Sequence, residues 1–547
     1  MRINNDWWRG AVIYQIYPRS FFDSDGDGVG DLRGVAAKLE HVARLGADAI
    51  WLCPFFASPQ KDFGYDVAGH TEIDPLFGTM DDFDAVVDRA HALGLRVLLD
   101  QVWSHTSDRH PWFLESRAGR ANPKADWFVW ADPSPDGTPP NNWLSVFGGS
   151  AWTWEPRRRQ YYLHHFLASQ PALNLHHPDV VAALIGIGRF WLDRGVDGFR
   201  LDAIDFMAHD PELRANPPAP PPDGAVPAKL FGLQEHRHDM LHPARMGVIA
   251  RIRALMDAYP GTVTLGEVSS QPGAFERVAE YTSGPSRLHM AYTLRVLRGT
   301  LDHGSVAAVI RAAAREQGHI CWAFSNHDAE RAISRWNPAP GGPAPAAFAR
   351  MLLSLLLSLR GSPCVYQGEE LGLPEASLAF EQLRDPFGIA YWPEFRGRDG
   401  SRTPMPWHAA APHGGFTDGG TPWLPMPEEH LHLAADLQEG SPGSLLHAWR
   451  EFIAFRRAHP ALVHGSLTPL DLPAPVVGFV RELGEQRILC AFNLSGTDAV
   501  ASLPEIADGA APLGPRASAV LADGRIGLEP YGATFLALPA ERARQVA

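Results

Sequence analysis

The sequence predicts an α/β protein built on a (β/α)8 barrel (a TIM barrel), with a small domain inserted after the third strand and an antiparallel β-domain at the C-terminal end. Three observations lead to this prediction. A unit of amphipathic helix, glycine and short apolar strand recurs along the chain, eight such strands can be counted, and after about residue 463 short strands follow one another without helices. Alternating strands and helices indicate an α/β architecture, and eight strands favour a closed barrel.

The recurring unit is clearest near the start of the chain. Apolar residues at helical spacing from Leu32 to Leu45 are followed by Gly46 and the strand ADAIWLCP, and the same order recurs with Gly94 before LRVLLDQV. Glycine readily adopts the left-handed conformation in which helices end. Nearly continuous apolar runs are typical of parallel strands that are buried on both faces. The eight predicted strands span residues 11–18, 47–54, 96–102, 198–203, 262–268, 288–293, 321–328 and 362–369.

The spacing of these strands divides the chain of 547 residues into several units. Residues 106–171 separate the third strand from the fourth, and this stretch, rich in Trp, Asn, Pro and Gly, is too long for one crossover. We therefore expect a barrel in two parts, 1–105 and 172–462, around an inserted domain at 106–171, with a C-terminal β-sandwich domain at 463–547. An open doubly wound sheet is the alternative, but no glycine-rich phosphate loop follows the first strand.

Composition and charge narrow the range of partners. Asp and Glu number 62 against 48 Lys and Arg, a net charge of −14, which argues against binding to nucleic acid or to anionic membranes. No apolar run approaches the ~20 residues of a transmembrane helix, and the N-terminal segment lacks the apolar core of a signal peptide. Four widely spaced cysteines in apolar runs favour reduced thiols in a cytoplasmic protein. The oligomeric state has no signature in the sequence.

Charged residues follow the predicted strands at the ends where they would meet. Side chains at the C-terminal ends of barrel strands converge on one mouth, so these residues are expected to share a cleft. Clustered carboxylates repel one another, and packing alone does not explain several of them arriving from separate strands. The set comprises Asp100, His105, Arg200, Asp202, Glu267, His327 and Asp328.

Such a cluster suits the cleavage of a glycosidic bond. One carboxylate must be ionised at the anomeric carbon, and another must be protonated to donate to the leaving oxygen. Arg200 lies two residues from Asp202, so both side chains point to the same face of the strand, and the cation favours the ionised carboxylate. The pattern predicts Asp202 as the nucleophile. Glu267 has no basic neighbour in the sequence, so it is free to hold a raised pKa and is predicted to be the acid/base.

Several motifs in order carry a resemblance to a known family. They are GYDV (64–67), DQVWSH (100–105), QPALN (170–174), GFRLDA (198–203), GEV (266–268), SNHD (325–328) and GRDGSRTPMPW (397–407). The sequence resembles, over its whole length, the α-amylase family of glycoside hydrolases in its oligo-1,6-glucosidase and α-glucosidase branch. The resemblance implies that Asp202 is the nucleophile, positioned by Arg200, that Glu267 is the acid/base, and that Asp328 holds the sugar 2- and 3-hydroxyls in the transition state.

The same resemblance implies contacts to the sugar that precedes the scissile bond. His105 and His327 would hydrogen-bond this glucosyl unit, and Tyr65 would stack on its ring. Asp62 and Arg398 match the pair that grips the 4-hydroxyl at the non-reducing end in α-glucosidases. Two aromatic side chains of the inserted domain would wall the pocket, namely Phe147 and Phe166.

These residues imply a retaining, exo-acting α-glucosidase that releases α-glucose from short α-glucosides such as maltose-like sugars, aryl α-glucosides and sucrose. Ala203 follows the nucleophile where Val accompanies α-1,6 preference in this branch, which favours α-1,4 linkages. A transglucosylase or a sucrose-active enzyme of the same family is the alternative. A non-catalytic amylase-like binding subunit is a further one, although such subunits typically lose the catalytic carboxylates or carry a membrane anchor, and this chain keeps all three carboxylates.

The stretch DSDGDGVGD (23–31) predicts a structural divalent cation site. Asp23, Asp25 and Asp27 alternate, with Val29 and Asp31 after them, and oxygen ligands at this spacing suit a hard cation, Ca²⁺ with Mg²⁺ as the alternative. An EF-hand would need Glu where Gly34 stands, and an acidic turn without metal is the other interpretation. Where the family usually has a calcium-ligating Asn this chain has Ser104, so we expect no calcium site there. We expect no organic cofactor.

Overall fold

The computed structural model describes residues 5–220, 229–270, 273–315, 317–504, 507, 509–514, 520–521 and 524–539. Its centre is an eight-stranded parallel barrel. The strands are β1 (Ile13–Ile16), β2 (Ala49–Leu52), β3 (Arg96–Gln101), β4 (Gly198–Leu201), β5 (Val263–Val268), β6 (Met290–Thr293), β7 (Cys321–Ala323) and β8 (Ser362–Tyr366). They pair in the order β6-β5-β4-β3-β2-β1-β8-β7. A parallel bridge between Ala291 and Ile320 joins β6 to the start of β7 and closes the ring.

Helices follow the strands and form the outer layer. They are α1 (Leu32–Leu45), α2 (Met80–Ala92), α3 (Pro178–Leu192), α4 (Arg245–Asp257), α5 (Ala274–Thr282), α6 (His303–Ala313), α7 (Ala346–Ser358) and α8 (Leu445–Ala458). Asp31 caps the start of α1, and Gly46 ends it with φ of 98°, a conformation that favours glycine. Shorter helices span Pro111–Arg117, Leu294–Arg298, Ala332–Arg335, Pro386–Tyr391, Glu428–Leu431, Ala435–Glu439 and Pro460–His464.

The barrel interior is filled by apolar side chains that point inward from the strands, among them Ile13, Trp51, Leu98, Val263 and Met290. A second, larger apolar layer lies between the strands and the helices. The interior is therefore a packed core, and the barrel offers open space at its mouth. Among the described residues, no helix is long and apolar enough to cross a membrane.

Smaller antiparallel sheets accompany the barrel. Between β3 and β4 a three-stranded antiparallel sheet is formed by Trp130–Ala131, Gln160–Leu163 and Trp152–Glu155. At the C-terminal end, one sheet comprises Ser466–Leu470, Val476–Leu483, Gln486–Asn493, Ala533–Ala537 and Ala511–Pro512. A second comprises Ala499–Ser502, Arg525–Leu528 and Val520–Leu521, and side chains of both sheets share one apolar cluster. Phe56–Ala57 and Gly69–Ile73 form a small hairpin beside the mouth.

The predicted fold class is confirmed, and the eight predicted strands are all present but shorter. The largest difference is at the seventh, where the predicted strand 321–328 ends at Ala323. The backbone N–H of Asp328 donates to the Asn326 side chain at 2.9 Å, which makes a turn in place of a strand. His327 and Asp328 therefore reach the mouth on a loop.

Candidate active site

The predicted site residues meet at the C-terminal mouth of the barrel. Asp202 follows β4, Glu267 lies near the end of β5, and Asp328 lies on the loop after β7. All three line one cleft, together with Asp62, Tyr65, His105, Phe147, Phe166, Gln170 and Arg398. Arg200 and His327 are fully buried and lie outside this lining set.

Arg200 connects the carboxylates from below. Its Nη1 donates to Asp100 and to Asp202, each at 2.7 Å, and its Nη2 contacts Glu267. Burial raises the pKa of Asp202, and Arg200 opposes that rise; burial also raises the pKa of Asp100, to about 7. Arg200 contacts Asp202, as its position two residues away predicts, and the same guanidinium is shared with Asp100 and Glu267. Glu267, which has no basic neighbour in the sequence, acquires one through the fold.

Asp328 is held ionised by two arginines. Arg402 Nη2 donates to its Oδ1 at 2.7 Å, and Arg398 Nη1 donates to the same oxygen at 3.2 Å. Burial opposes ionisation, yet the surrounding positive charges hold the pKa of Asp328 well below its usual range. Burial lowers the pKa of His327 to about 3, so this histidine is neutral near pH 7 and the arginines supply the charge.

An ion-pair network lines the cleft beside Asp328. Arg398 Nη2 donates to Asp62 at 2.7 Å and to Asp385 at 2.7 Å, so the predicted pair of Asp62 and Arg398 is present. Gln170 Nε2 donates to the second oxygen of Asp62 at 3.0 Å. Arg398 is 9% exposed and Asp62 is 4% exposed. Breaking a buried pair of this kind leaves an uncompensated charge, so the two residues hold each other in place.

Tyr65 lies between the two histidines. Its ring stacks on His327 with centroids 5.2 Å apart, and its hydroxyl donates to Asp100 and accepts from His327 Nε2 at 2.7 Å. His105 Nε2 donates to the Tyr65 carbonyl at 3.0 Å, and Ser104 Oγ lies 2.8 Å from His105 Nδ1. His105 lines the cleft, whereas His327 lies behind Tyr65. In this structure both histidines are positioned by protein groups.

The two predicted aromatic walls line the cleft on the side of the inserted sheet. Phe147 packs against Phe387 with centroids 4.6 Å apart, and the guanidinium of Arg398 lies 5.3 Å from the Phe147 ring centroid. Phe166 lies 5.0 Å from His105 and 5.1 Å from Phe206, centroid to centroid. Phe147 therefore borders the ion-pair network, and Phe166 belongs to an apolar wall of the cleft.

Further apolar residues of the same cluster line the cleft around Ala203, which follows Asp202. Ala203, Phe206 and Met240 are buried in one apolar cluster. Val146, Phe166, Phe231 and Leu241 are the partly buried members of the same cluster. Ala203 has φ of 44° and ψ of 48°, a left-handed conformation that is strained for a residue with a Cβ atom.

The acidic stretch 23–31 forms a loop between β1 and α1. Carboxylate oxygens of Asp23, Asp25 and Asp27 lie within 4.8 Å of one another. Burial and the neighbouring carboxylates raise the pKa of Asp27. Oxygen ligands of this kind fit a hard divalent cation, which would relieve their repulsion. Asp31 lies outside this group of three, because its carboxylate caps α1 and accepts from the backbone and hydroxyl of Ser24. Val29 donates its N–H to Asp27.

Four residues that contact the predicted site were not among the candidates drawn from the sequence. Gln170 and Arg402 stand inside the recognised motifs, which is the signal that could have identified them. Tyr292 Oη lies 3.1 Å from Glu267 and comes from β6, where its aromatic ring belongs to an ordinary apolar run. Asp385 begins the short helix Pro386–Tyr391, and its part in holding Arg398 depends wholly on the tertiary structure.

Comparisons with known proteins agree with this architecture. The family described as alpha amylase, catalytic domain, matches residues 15–465. A probable alpha-glucosidase of Rhizobium meliloti (strain 1021) is 54% identical over 508 residues, which cover 92% of each chain. An oligo-1,6-glucosidase of Parageobacillus thermoglucosidasius is 33% identical over 534 residues, covering 91% of this chain and 92% of that protein.

A solved structure is similar over almost the whole molecule. The alpha-glucosyl transfer enzyme XgtA superposes with a TM-score of 0.92 at 50% identity, covering 97% of this chain and 99% of that one. The barrel, the strand-end carboxylates and these matches lead to one family. The chain belongs to the α-amylase family of glycoside hydrolases.

Proposed function

We propose that this protein is a retaining, exo-acting α-glucosidase that cleaves short α-glucosides from the non-reducing end and releases α-glucose. The observation that carries the proposal is the ion pair of Asp62 and Arg398, which lines the cleft beside Asp328. A polymer-cutting enzyme needs space for sugar units on both sides of the scissile bond. Here the charged pair blocks one side, so a single glucosyl unit fits between it and the carboxylates.

In this mechanism Asp202 attacks the anomeric carbon while Glu267 donates a proton to the leaving oxygen. The products of this step are a glucosyl ester of Asp202 and the free aglycone. Glu267, now ionised, removes a proton from water, which attacks the same carbon and releases α-glucose. Arg200 is bonded to both carboxylates and orients their side chains toward the cleft. Two displacements at one carbon retain its configuration.

The remaining residues bind the glucosyl unit. Asp328, ionised beside Arg402, would accept hydrogen bonds from the 2- and 3-hydroxyls. Asp62 and Arg398 would bind the 4-hydroxyl, and Tyr65 would lie against the ring. His105 lies close enough to share in these contacts, and His327 would act through Tyr65. Phe147 and Phe166 would exclude water from the glucosyl side.

A comparison of substrates tests this proposal. We expect hydrolysis of maltose and 4-nitrophenyl α-glucoside, with one glucose released per event and α-glucose detected first by NMR. A maltooligosaccharide blocked at its non-reducing end should resist the enzyme, and the unblocked oligosaccharide is the matched control. Rapid internal cutting of the blocked sugar would show that this side of the cleft is open in solution. Ala203 beside the nucleophile supports α-1,4 over α-1,6 linkages, so isomaltose should be the poorer disaccharide.

A transglucosylase is the second candidate, in which a sugar or an alcohol replaces water. Two observations favour it. The wall around Ala203 is apolar, with Phe206, Phe231 and Met240 in one cluster, and such a surface holds an organic acceptor better than water. The chain is also 50% identical to an alpha-glucosyl transfer enzyme. Product analysis at high substrate concentration separates the two candidates, because transfer yields new glucosides in place of an equal amount of free glucose.

We also propose a structural Ca²⁺ or Mg²⁺ ion held by Asp23, Asp25 and Asp27, with the carbonyl of Val29 as a further ligand and Asp31 supporting the loop. A cation that binds the folded state preferentially stabilises it by mass action. Exhaustive chelation should therefore lower Tm, while activity at moderate temperature should change little because the loop lies apart from the catalytic carboxylates. An unchanged Tm with no metal by elemental analysis would leave the loop an acidic turn.

The domain boundaries and the cellular location are proposals of the same kind. We place the barrel at 1–105 and 172–462, the inserted domain at 106–171 and the C-terminal domain at 463–547. The four cysteines are buried and unpaired, which supports a reducing, cytoplasmic location. Limited proteolysis tests the boundaries, since cleavage at the junctions should precede cleavage within the barrel.

A further inference from the structure

The two catalytic carboxylates stand at a place where the backbone ladder between their strands has ended. Strands β4 and β5 pair from Gly198 opposite Val263 to Leu201 opposite Gly266. Asp202 and Glu267 are the next residue on each strand. Asp202 remains bonded to β3 through its N–H to the Gln101 carbonyl, and Glu267 remains paired with β6. The backbone of each residue is thus bonded to its outer neighbour, while the β4–β5 ladder ends before the pair, and Arg200 connects the two carboxylates only through side chains.

A hydrogen bond joins the two segments again three residues after each carboxylate, beyond the ends of both strands. Asp205 lies three residues after Asp202, and Ser270 lies three residues after Glu267. The backbone N–H of Ser270 donates to Asp205 Oδ2 at 2.8 Å. Asp205 is completely buried, so this charge-assisted hydrogen bond is shielded from water. The catalytic pair is therefore bracketed by the ladder on one side and by the Asp205 contact on the other.

Asp205 also contacts the helix that follows Glu267. Tyr281, on α5, donates its hydroxyl to Asp205 Oδ1 at 2.6 Å, and its oxygen accepts from Arg245 Nε, also at 2.6 Å. Burial and the charge of Asp205 raise the pKa of Tyr281 well above its ordinary value, so the phenol remains a donor. The two oxygens of Asp205 thus hold both the loop that begins after Glu267 and the helix to which it leads.

The backbone of Asp205 reaches the apolar wall as well. Its carbonyl accepts from the N–H of Leu241 at 2.8 Å. Leu241 has φ of 63°, a conformation that a branched residue keeps only when its surroundings fix it. One buried residue therefore connects the nucleophile loop, the acid/base loop and the apolar wall of the cleft.

We propose that Asp205 is a positioning residue that sets the separation of Asp202 and Glu267 by tying their two strands together beyond the end of the ladder. The inference rests on the proposed function, because the separation matters for a double displacement. In retaining glycosidases the two carboxyl groups stand about 5–5.5 Å apart, against about 6.5–9.5 Å in inverting ones. An increase of about 1 Å in this separation would place the nucleophile and the proton donor out of reach of the same bond.

The test compares Asp205→Ala and Asp205→Asn with a control at the other end of the same strand. Asp197 is also buried, and it accepts from Val97 N–H at 2.9 Å, His91 at 2.7 Å and Arg96 at 2.7 Å. Asp197→Ala should lower Tm at least as much as Asp205→Ala, because it removes three hydrogen bonds where Asp205 loses two. Its kcat, measured per folded molecule, should stay within about threefold of the native value.

For Asp205→Ala we expect kcat to fall roughly 10²-fold on both maltose and 4-nitrophenyl α-glucoside, with KM within about threefold. Asp205→Asn should recover most of the loss, since its carbonyl can accept from Ser270 and its amide can donate to the Tyr281 oxygen. A native kcat in Asp205→Ala together with a lowered Tm would overturn the proposal and leave Asp205 a stabilising residue only.

Tyr281→Phe keeps the test decisive if Asp205→Ala does not fold. It removes one of the two side-chain contacts, and kcat should fall about three- to tenfold with KM unchanged. A native kcat in this variant would overturn the proposal. Assays of the native protein on the same substrates distinguish failure of the proposed function from failure of the positioning role. If the native protein is inactive on every α-glucoside, the proposed function is wrong. If the native protein is active and the Asp205 and Tyr281 variants are equally active, only the positioning role is wrong.

Discussion

Two sides of the cleft, the charged side formed by the Asp62–Arg398 network and the apolar side formed by the cluster around Ala203, are built from opposite chemistry. On the charged side the buried Asp62 and Arg398 and the partly exposed Asp328 form a network with contacts of 2.7–3.2 Å. On the other side Phe206 and Met240 belong to an apolar cluster. Charged partners hold hydroxyls in fixed directions, whereas apolar walls accept a range of shapes. With the proposed function, the difference predicts strict selection of the glucosyl unit and broad acceptance of what is attached to it.

The largest expected effect lies at the boundary between the two sides. Asp202→Asn keeps the volume of the nucleophile and removes its charge, so kcat should fall by about four orders of magnitude or more. The fold should survive, with Tm equal or higher, because three carboxylates share Arg200 and losing one relieves their repulsion. Stopped assays with 4-nitrophenyl α-glucoside and a thermal melt provide both readouts.

Near-native hydrolysis by Asp202→Asn would contradict the nucleophile assignment. Glu267→Gln is the companion variant, and it separates the roles of the two carboxylates. This variant should lose most of its activity on maltose. With aryl α-glucosides the rate of the glycosylation step should fall less, because their leaving groups need little protonation. Equal losses on both substrate types would contradict the acid role.

The charged side provides the next prediction. Arg398→Ala removes the partner of Asp62 and Asp385, which are left buried and unpaired. We expect a loss of about 2–4 kcal/mol in transition-state binding, or roughly 30- to 1000-fold in kcat/KM. Arg396→Ala is the matched control, because Arg396 lines the same cleft but is exposed and donates only to the Ser377 hydroxyl at 3.2 Å among the contacts described.

If Arg398→Ala instead cleaves glucosides at the native rate, the charged end does not grip the glucosyl unit. The Arg398→Ala variant can also be assayed on a maltooligosaccharide blocked at its non-reducing end. Activity of the variant on this sugar would show that the ion pair is the barrier to longer sugars. The variant should still accept the same range of leaving groups on the apolar side. The ratio of its rates on aryl and alkyl α-glucosides, compared with the native ratio, measures this.

The sequence also predicts the residues of the charged side better than those of the apolar side. Asp202, Glu267 and Arg200 stand on strands whose ends must meet in any closed barrel, so their convergence follows from the strand pattern alone. Arg398 and Asp62 were found through motif resemblance. Asp385 had no signal, because it holds Arg398 from a separate segment that only the tertiary structure brings near.

The apolar side was the harder one to predict. Phe231 and Leu241 lie in the long connection after β4. Polar and apolar residues follow no regular period in this segment, so its secondary structure and course could not be predicted. Ala203 and Leu241 have positive φ although neither is a residue type that favours it, so their conformation has no signal in the sequence. The inserted sheet was predicted only as a unit, since its strands are two to four residues long and its apolar residues are mostly tryptophan, tyrosine and alanine.

The smallest predicted effect tests the apolar side directly. Phe231 lines the cleft, is partly buried and stacks on His236 with ring centroids 3.5 Å apart. We expect the Phe231 ring to contact the nitrophenyl group of 4-nitrophenyl α-glucoside. A contact between two aromatic rings contributes about 0.5–1.5 kcal/mol beyond its buried area, so Phe231→Ala should lower kcat/KM for this substrate about three- to tenfold. α-Glucosyl fluoride, whose leaving group is a single atom, offers nothing for Phe231 to contact and is the matched control; its kcat/KM should be unchanged. An equal loss on both substrates would mean that Phe231 supports the carboxylates rather than the aglycone, and the division of the cleft into a charged side for glucose and an apolar side for its partner would fail at this residue.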